Sequence, residues 1–406
     1  MTRRTTWLAT VATLAMAGGF APAPAGQEAR LPLQLELGLK VLTPTRLAGG
    51  AKMMAFKEAN GKVDLGFGDV TVVVVSVGRA FRIDIDLDGD GRISRQEQIP
   101  IAPNGVAALT FARPGDDTKA TYRVLFTHVE VGADHGVIHG ISAQCHPDYA
   151  WRATLGKTTV RLIDANLDGK LTQDGADAIA IGPVALPLLK RHNIGGTEYD
   201  LTVSPDGQTL TAVDLGDREH AKVTLPFRSP ALKHLILKSA TQAYDIVACP
   251  MIPPDTYSLA MGMLVQGGET VVIAPGPETV SYPIKGDFVN LIKIGPPLSV
   301  TFTGSSEKKG PLTVRPPSAI LGSGGERYLV QYPVAAWPTV TVLAGGRTIT
   351  SGPMPHDKDN HLTAFTDRFA GLIDTWKVEV RVPIPGLTAP AIGSKTIAEL
   401  PVDLRP

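Results

Sequence analysis

Apolar and polar positions alternate with period two along most of the chain, which predicts strands rather than helices. Leu31, Leu33, Leu35, Leu37 and Leu39 alternate with other residues and read as one strand with a buried face. Residues 70–77 form a β-branched run suited to a buried strand. Phe81, Ile83 and Ile85 alternate with Arg82 and Asp84, giving a strand that runs straight into an acidic loop. Beyond Glu219, strand patterns continue at 221–227, 244–248, 270–274, 298–303, 325–332, 339–343 and 376–382. Turn-forming clusters separate them, among them Gly295-Pro-Pro, Arg315-Pro-Pro and Gly322-Ser-Gly-Gly325. The predicted fold class is mostly β, with several β-sandwich-like modules.

The first half carries an approximate internal repeat. Asp86-Leu-Asp-Gly-Asp-Gly recurs as Asp164-Ala-Asn-Leu-Asp-Gly. Each copy follows a strand pattern (81–85 and 159–163) and precedes a short apolar segment (99–102 and 178–181). Each then leads to a tyrosine-led strand, at Tyr122 and Tyr199, with the spacing kept to within one residue. Two landmarks at one spacing imply a duplicated unit carrying two acidic loops. The expected organisation is a leader over 1–25, β modules over 26–115 and 116–220 with one acidic loop each, and further β modules over 221–304 and 305–406. Pro253-Pro-Asp-Thr-Tyr257 resembles the Pro-Gly-x-Tyr turn of prealbumin-like modules, with Asp255 in place of the glycine. The 305–406 segment is similar in strand pattern to an immunoglobulin-like module, a likeness of fold alone.

Composition narrows the partners. Lys plus Arg total 39 and Asp plus Glu total 39 in 406 residues. Without a basic excess, neither nucleic acid nor an anionic membrane surface is expected as a partner. The 42 glycines and 33 prolines leave little room for long helices. Arg3 and Arg4, the apolar run 7–21 and Ala23-Pro-Ala25 read as a signal peptide cleaved before Gly26. The run falls short of the ~20 residues of a membrane-spanning helix, so no transmembrane span is expected. The chain is therefore expected to be secreted, or held in the periplasm or cell envelope. Export to an oxidising compartment lets Cys145 and Cys249 pair, or they remain two separate buried thiols.

The chemistry lies in the acidic loops. Calcium takes six to eight oxygen ligands. Asp86, Asp88 and Asp90 stand at positions 1, 3 and 5 of a twelve-residue loop, and Gly91 stands at the sharp turn. Arg92 offers a carbonyl at position 7, Ser94 a hydroxyl at position 9 and Glu97 a bidentate carboxylate at position 12. This resembles the EF-hand-type (DxDxDG) loops of exported bacterial calcium-binding proteins. The resemblance implies Ca²⁺ as the cofactor. It departs from the EF-hand in its flanks, with a strand before the loop and room for only one helical turn before Pro100. A structural ion is therefore expected, with affinity of ~10⁻⁴–10⁻³ M, rather than a sensor that opens a helix pair.

In the second loop Asp164, Asn166 and Asp168 fill positions 1, 3 and 5, and Lys170 supplies a carbonyl. Gly175 at position 12 has no side-chain oxygen, so Asp174 or Asp177 substitutes, or the loop is a calcium-free Asx turn. His128, His135, His139 and His146 are expected to be scattered rather than to chelate a transition metal. Gly322-Ser-Gly-Gly325 has the composition of an anion cradle or of a plain turn. No nucleophile elbow, zinc-protease helix or Rossmann fingerprint is present in the sequence. The favoured expectation is an exported, calcium-binding, non-enzymatic structural or adhesive protein, with an envelope glycan or protein as its further partner. The alternative is a calcium-stabilised extracytoplasmic hydrolase or carbohydrate-binding protein.

Overall fold

The structure, a computed structural model, describes residues 27–37, 52–55, 60–64, 69–77, 80–86, 91–101, 106–112, 121–133, 136–147, 149–166, 170–182, 184–278, 280–286, 288–306, 311–330, 334–356, 362–369 and 374–400. Of residues 35–37, 52–81 and 101–147 the backbone alone is described. Residues 1–25, where a leader is expected, lie outside the described residues.

The fold is almost entirely β, as the alternation predicts. Among the described residues the helical turns are two 3₁₀ segments, Arg95–Glu97 and Ile397–Glu399. The strand Ala178–Ile181 falls where the pattern places it, and Asp69–Val77, Ala80–Ile85, Thr339–Ala344 and Lys377–Val382 lie within a residue of expectation at each end.

The leucine alternation at 31–39 does not make one strand. It breaks at Leu33, whose amide donates to the Gln208 carbonyl at 2.8 Å. Glu28–Pro32 pairs with Thr209–Asp214, whereas Gln34–Leu37 pairs with Tyr149–Leu155. The lead-in therefore joins two sheets. One contains Arg191–Ile194, Thr197–Val203 and Thr209–Asp214, the other Tyr149–Leu155, Thr158–Ile163, Ala178–Ile181 and Val184–Pro187. Leu162, Ile179 and Leu188 pack with Leu201, Leu210 and Ala212 in one core, which makes a β-sandwich. Val106–Ala112 pairs with Thr121–Ala133 in a separate sheet that also holds Gly136–Pro147 and Lys52–Ala55.

The second half is built on a 12-stranded sheet that runs from Ala243–Asp245 to Arg347–Pro353 and includes Asp255–Gln266 and Ala391–Thr396. A single apolar core extends from Ala221 to Leu400 and so crosses position 304. Ile236, Ala243 and Met261 of this half also enter the core of the preceding sandwich. Tyr257 is buried, and its hydroxyl donates to the Pro253 carbonyl at 2.9 Å, closing the Pro-Pro-Asp-Thr-Tyr turn.

Candidate functional site

Each acidic loop connects two adjacent antiparallel strands. Ile83 pairs with Ile99 beside the first loop, and Leu162 with Ile179 beside the second. The loops therefore cap hairpins, with a strand before and at most one helical turn after, as the flanking sequence implies.

In the first loop the Asp86 carboxylate accepts the Gly91 amide at 3.1 Å. Gly91 has φ +78°, the left-handed conformation that the turn at position 6 requires. Asp88 and Asp90 lie outside the described residues. Arg92 and Ser94 are exposed. The Ser94 amide donates to the Glu97 carboxylate at 2.7 Å within a capping box around Arg95–Glu97. Glu97 is buried, immediately before the strand Gln98–Ile101.

In the second loop Asp164 is fully buried and accepts the Tyr149 hydroxyl at 3.2 Å. Asn166 is half-buried and Lys170 exposed, while Asp168 lies outside the described residues. Asp174 and Asp177 differ in burial and in hydrogen bonding. Asp174 is exposed, and its Oδ1 accepts the Ala176 amide at 2.9 Å and the Thr172 hydroxyl at 3.0 Å. Those donors, the Ala176 amide foremost, hold its carboxyl below the usual carboxylate range. Asp177 is fully buried, directly before the strand Ala178–Ile181. It accepts the Ala165 amide at 3.0 Å and the Thr172 amide at 2.6 Å, tying the end of the loop to its beginning.

The two loops thus share one arrangement. Ser94 and Thr172 both stand at loop position 9, and each amide donates to the buried carboxylate that precedes the return strand. Asp177 Oδ2 also accepts the Thr172 hydroxyl at 3.2 Å. Carboxylate oxygens are the donor type that a hard cation takes. Among the described residues no three His, Cys, Asp or Glu side chains converge in a metal-holding group.

Other expectations fall elsewhere. Cys249 carries a free thiol whose Sγ donates to the Met251 carbonyl at 3.1 Å, and burial pushes its pKa up. That is the opposite of an activated nucleophile. His128, His139 and His146 fall on the paired strands Thr121–Ala133 and Gly136–Pro147. Their side chains, that of Cys145, and His135 lie outside the described residues. Gly322-Ser-Gly-Gly325 does cradle an anion, but the anion is the protein's own Glu326. The Gly324 amide donates to Glu326 Oε2 at 3.0 Å, and the Gly295 amide and Tyr328 hydroxyl donate to Oε1 at 2.6 and 3.2 Å. Burial still holds this carboxyl above its ordinary value.

A second polar cluster escapes any motif reading. Buried Glu198 accepts the Tyr244 hydroxyl at 2.7 Å and the Asn193 amide group at 3.1 Å. His220 Nε2 lies 3.5 Å and Arg218 4.0 Å from the same carboxylate. Gln242 extends the network, its amide donating to the Tyr257 hydroxyl at 2.8 Å. These residues come from the sandwich, the following linker and the large sheet, so the cluster latches the two halves together. Its carboxylate is held by the protein's own donors from three elements. No protein-family model, curated protein or solved structure matches this chain.

Proposed function

We propose that the chain is an exported calcium-binding β protein whose ions are structural, and that it acts as a structural or adhesive element rather than an enzyme. The observation that carries this reading is the arrangement common to both hairpin loops: an amide at position 9 held on a buried carboxylate just before the return strand. The charged leader and apolar run support export.

The residues divide the work. Asp86, Asp88, Asp90 and Glu97, with the Arg92 carbonyl and Ser94, supply the oxygens of the first loop. Asp164, Asn166, Asp168 and Asp177, with the Lys170 carbonyl, supply those of the second. Bound calcium supplies the positive charge that offsets repulsion among these carboxylates. Gly91 and the Ser94 and Thr172 amides hold the loops in shape. Because the loops cap hairpins, holding them fixes the register of the strands on either side. An ion bound only by the folded chain stabilises it by ~2.7 kcal/mol at a hundredfold excess over Kd.

Thermal melts of the mature chain in calcium and in chelator test the proposal. Calcium raises the transition, and Asp88→Ala with Glu97→Ala removes the first loop's share of that response. Identical melts in calcium and chelator would refute it.

A further inference from the structure

The three most exposed large apolar side chains among the described residues fall within four positions of one turn: Phe288 at 65% exposure, Val289 at 77% and Leu291 at 53%. Such side chains are ordinarily scattered singly over a surface. Here they are held in place. Asn290 is buried, and its Nδ2 donates to the carbonyls of Phe288 and Lys285, both at 2.9 Å, and of Lys222 at 3.2 Å. Its Oδ1 accepts the Lys285 amide at 2.9 Å. With two N–H donors shared among three carbonyls, this side chain ties the turn to itself and to the neighbouring strand at Lys222, so Phe288 and Val289 sit on an ordered backbone.

The turn continues into a small sheet. Val223 pairs with Asn290 and Thr224 with Leu291 on one side, and Lys222 pairs with Met251 on the other. Alternation turns Val223, Ile252 and Ile292 into the core and leaves Met251, at 42% exposure, facing outward like Leu291. Lysines interleave with this apolar face. Lys222, Lys285 and Lys293 are exposed, and the Lys285 ammonium stands 5.9 Å from the Phe288 ring centroid. Glu219 lies at the base of the turn, its carboxylate against the Gly286 backbone, and Asp287 lies outside the described residues.

We infer that this face is a peripheral membrane-docking site, in which Phe288, Val289, Leu291 and Met251 enter the interface of a bilayer whose anionic headgroups meet the three lysines. The chemistry favours lipid: three exposed lysines interleave with the four apolar side chains, and four side chains fall short of the ~800 Å² per partner of a stable protein–protein interface. Lysine stems lie along apolar surface while their heads reach phosphate, which suits the headgroup boundary. The balanced charge of the whole chain gives no long-range pull toward a membrane, so the binding is short-ranged and local. This inference does not depend on the calcium loops.

Co-sedimentation of the mature chain with phosphatidylcholine vesicles, and with vesicles that also contain phosphatidylglycerol, tests it. Binding is expected to the phosphatidylglycerol vesicles. Phe288→Ser with Val289→Ser should weaken it about tenfold or more. Lys222→Gln with Lys285→Gln should weaken it only where phosphatidylglycerol is present. All four positions are exposed, and circular dichroism verifies that the variants keep the fold. Failure to sediment with either vesicle, or binding indifferent to the serine variant, overturns the inference. So does a lipid-free dimer that the serine variant dissociates, because the face would then be covered by a second copy.

Discussion

Replacing Tyr244 by phenylalanine removes one hydroxyl and keeps the ring in place. That hydroxyl donates to Glu198 Oε2 at 2.7 Å, and both side chains are buried. The bond is charge-assisted, and without it Oε2 keeps only Arg218, at 4.0 Å. Hydrogen bonds to charged groups contribute about 1.5–3 kcal/mol, and a buried carboxylate oxygen left short of donors sits at the upper end of the cost. A loss of about 2 kcal/mol lowers the melting transition by about 4–8 °C if the half containing the latch unfolds as a unit of roughly 150–250 residues. Calorimetry on wild type, Tyr244→Phe, Glu198→Gln and the double variant isolates the pair. Residues in one network couple by about 0.5–3 kcal/mol, so the double variant should lose less than the sum of the singles. Strict additivity, or a Tyr244→Phe transition within about 1 °C of wild type, would refute the latch.

Further outcomes follow from single contacts. His192 is fully buried, and desolvation lowers its pKa to about 4 from an ordinary 6.5. Between those values the unfolded chain binds a proton that the folded chain refuses, so stability falls as pH drops from about 6.5 to 4. The shift corresponds to about 3 kcal/mol, and denaturant titrations of His192→Leu across that range should show a shallower slope than wild type. A Cβ at Gly322 would lie 1.7 Å from Glu326 Oε1, so Gly322→Ala should cost about 1–3 kcal/mol in urea unfolding, while Gly207→Ala, with open space around it, should cost only its backbone strain. Asp177→Ala should abolish the second loop's share of the calcium-dependent rise in melting temperature, and Asp174→Ala should leave it in place.

Strand positions were legible in the sequence because half-buried strands must alternate, as at residues 80–85 and 377–382. Sheet membership was not. The leucines from 31 onward share one alternation, yet the partners on either side of Leu33 are more than fifty residues apart in sequence, 209–213 and 149–152. Spacing alone left Asp174 and Asp177 equal, because the second loop reaches its return strand later than the twelve-residue pattern allows. Burial and the Thr172 amide distinguish them. The glycine cradle was visible, but its anion was not, since Glu326 is held by Gly295 and Tyr328 as well as by its neighbour Gly324. The Glu198 latch left no local signal, because its members are gathered from residues 193 to 257 by tertiary packing alone.

Isothermal titration of Ca²⁺ into the mature chain, freed of metal beforehand, is the most direct test of the proposed ion sites. Heat of binding at ~10⁻⁴–10⁻³ M is predicted, reduced by Glu97→Ala and again by Asp177→Ala, matching one ion per hairpin. An absence of heat in the wild-type chain, or heat that survives both substitutions, would contradict the account.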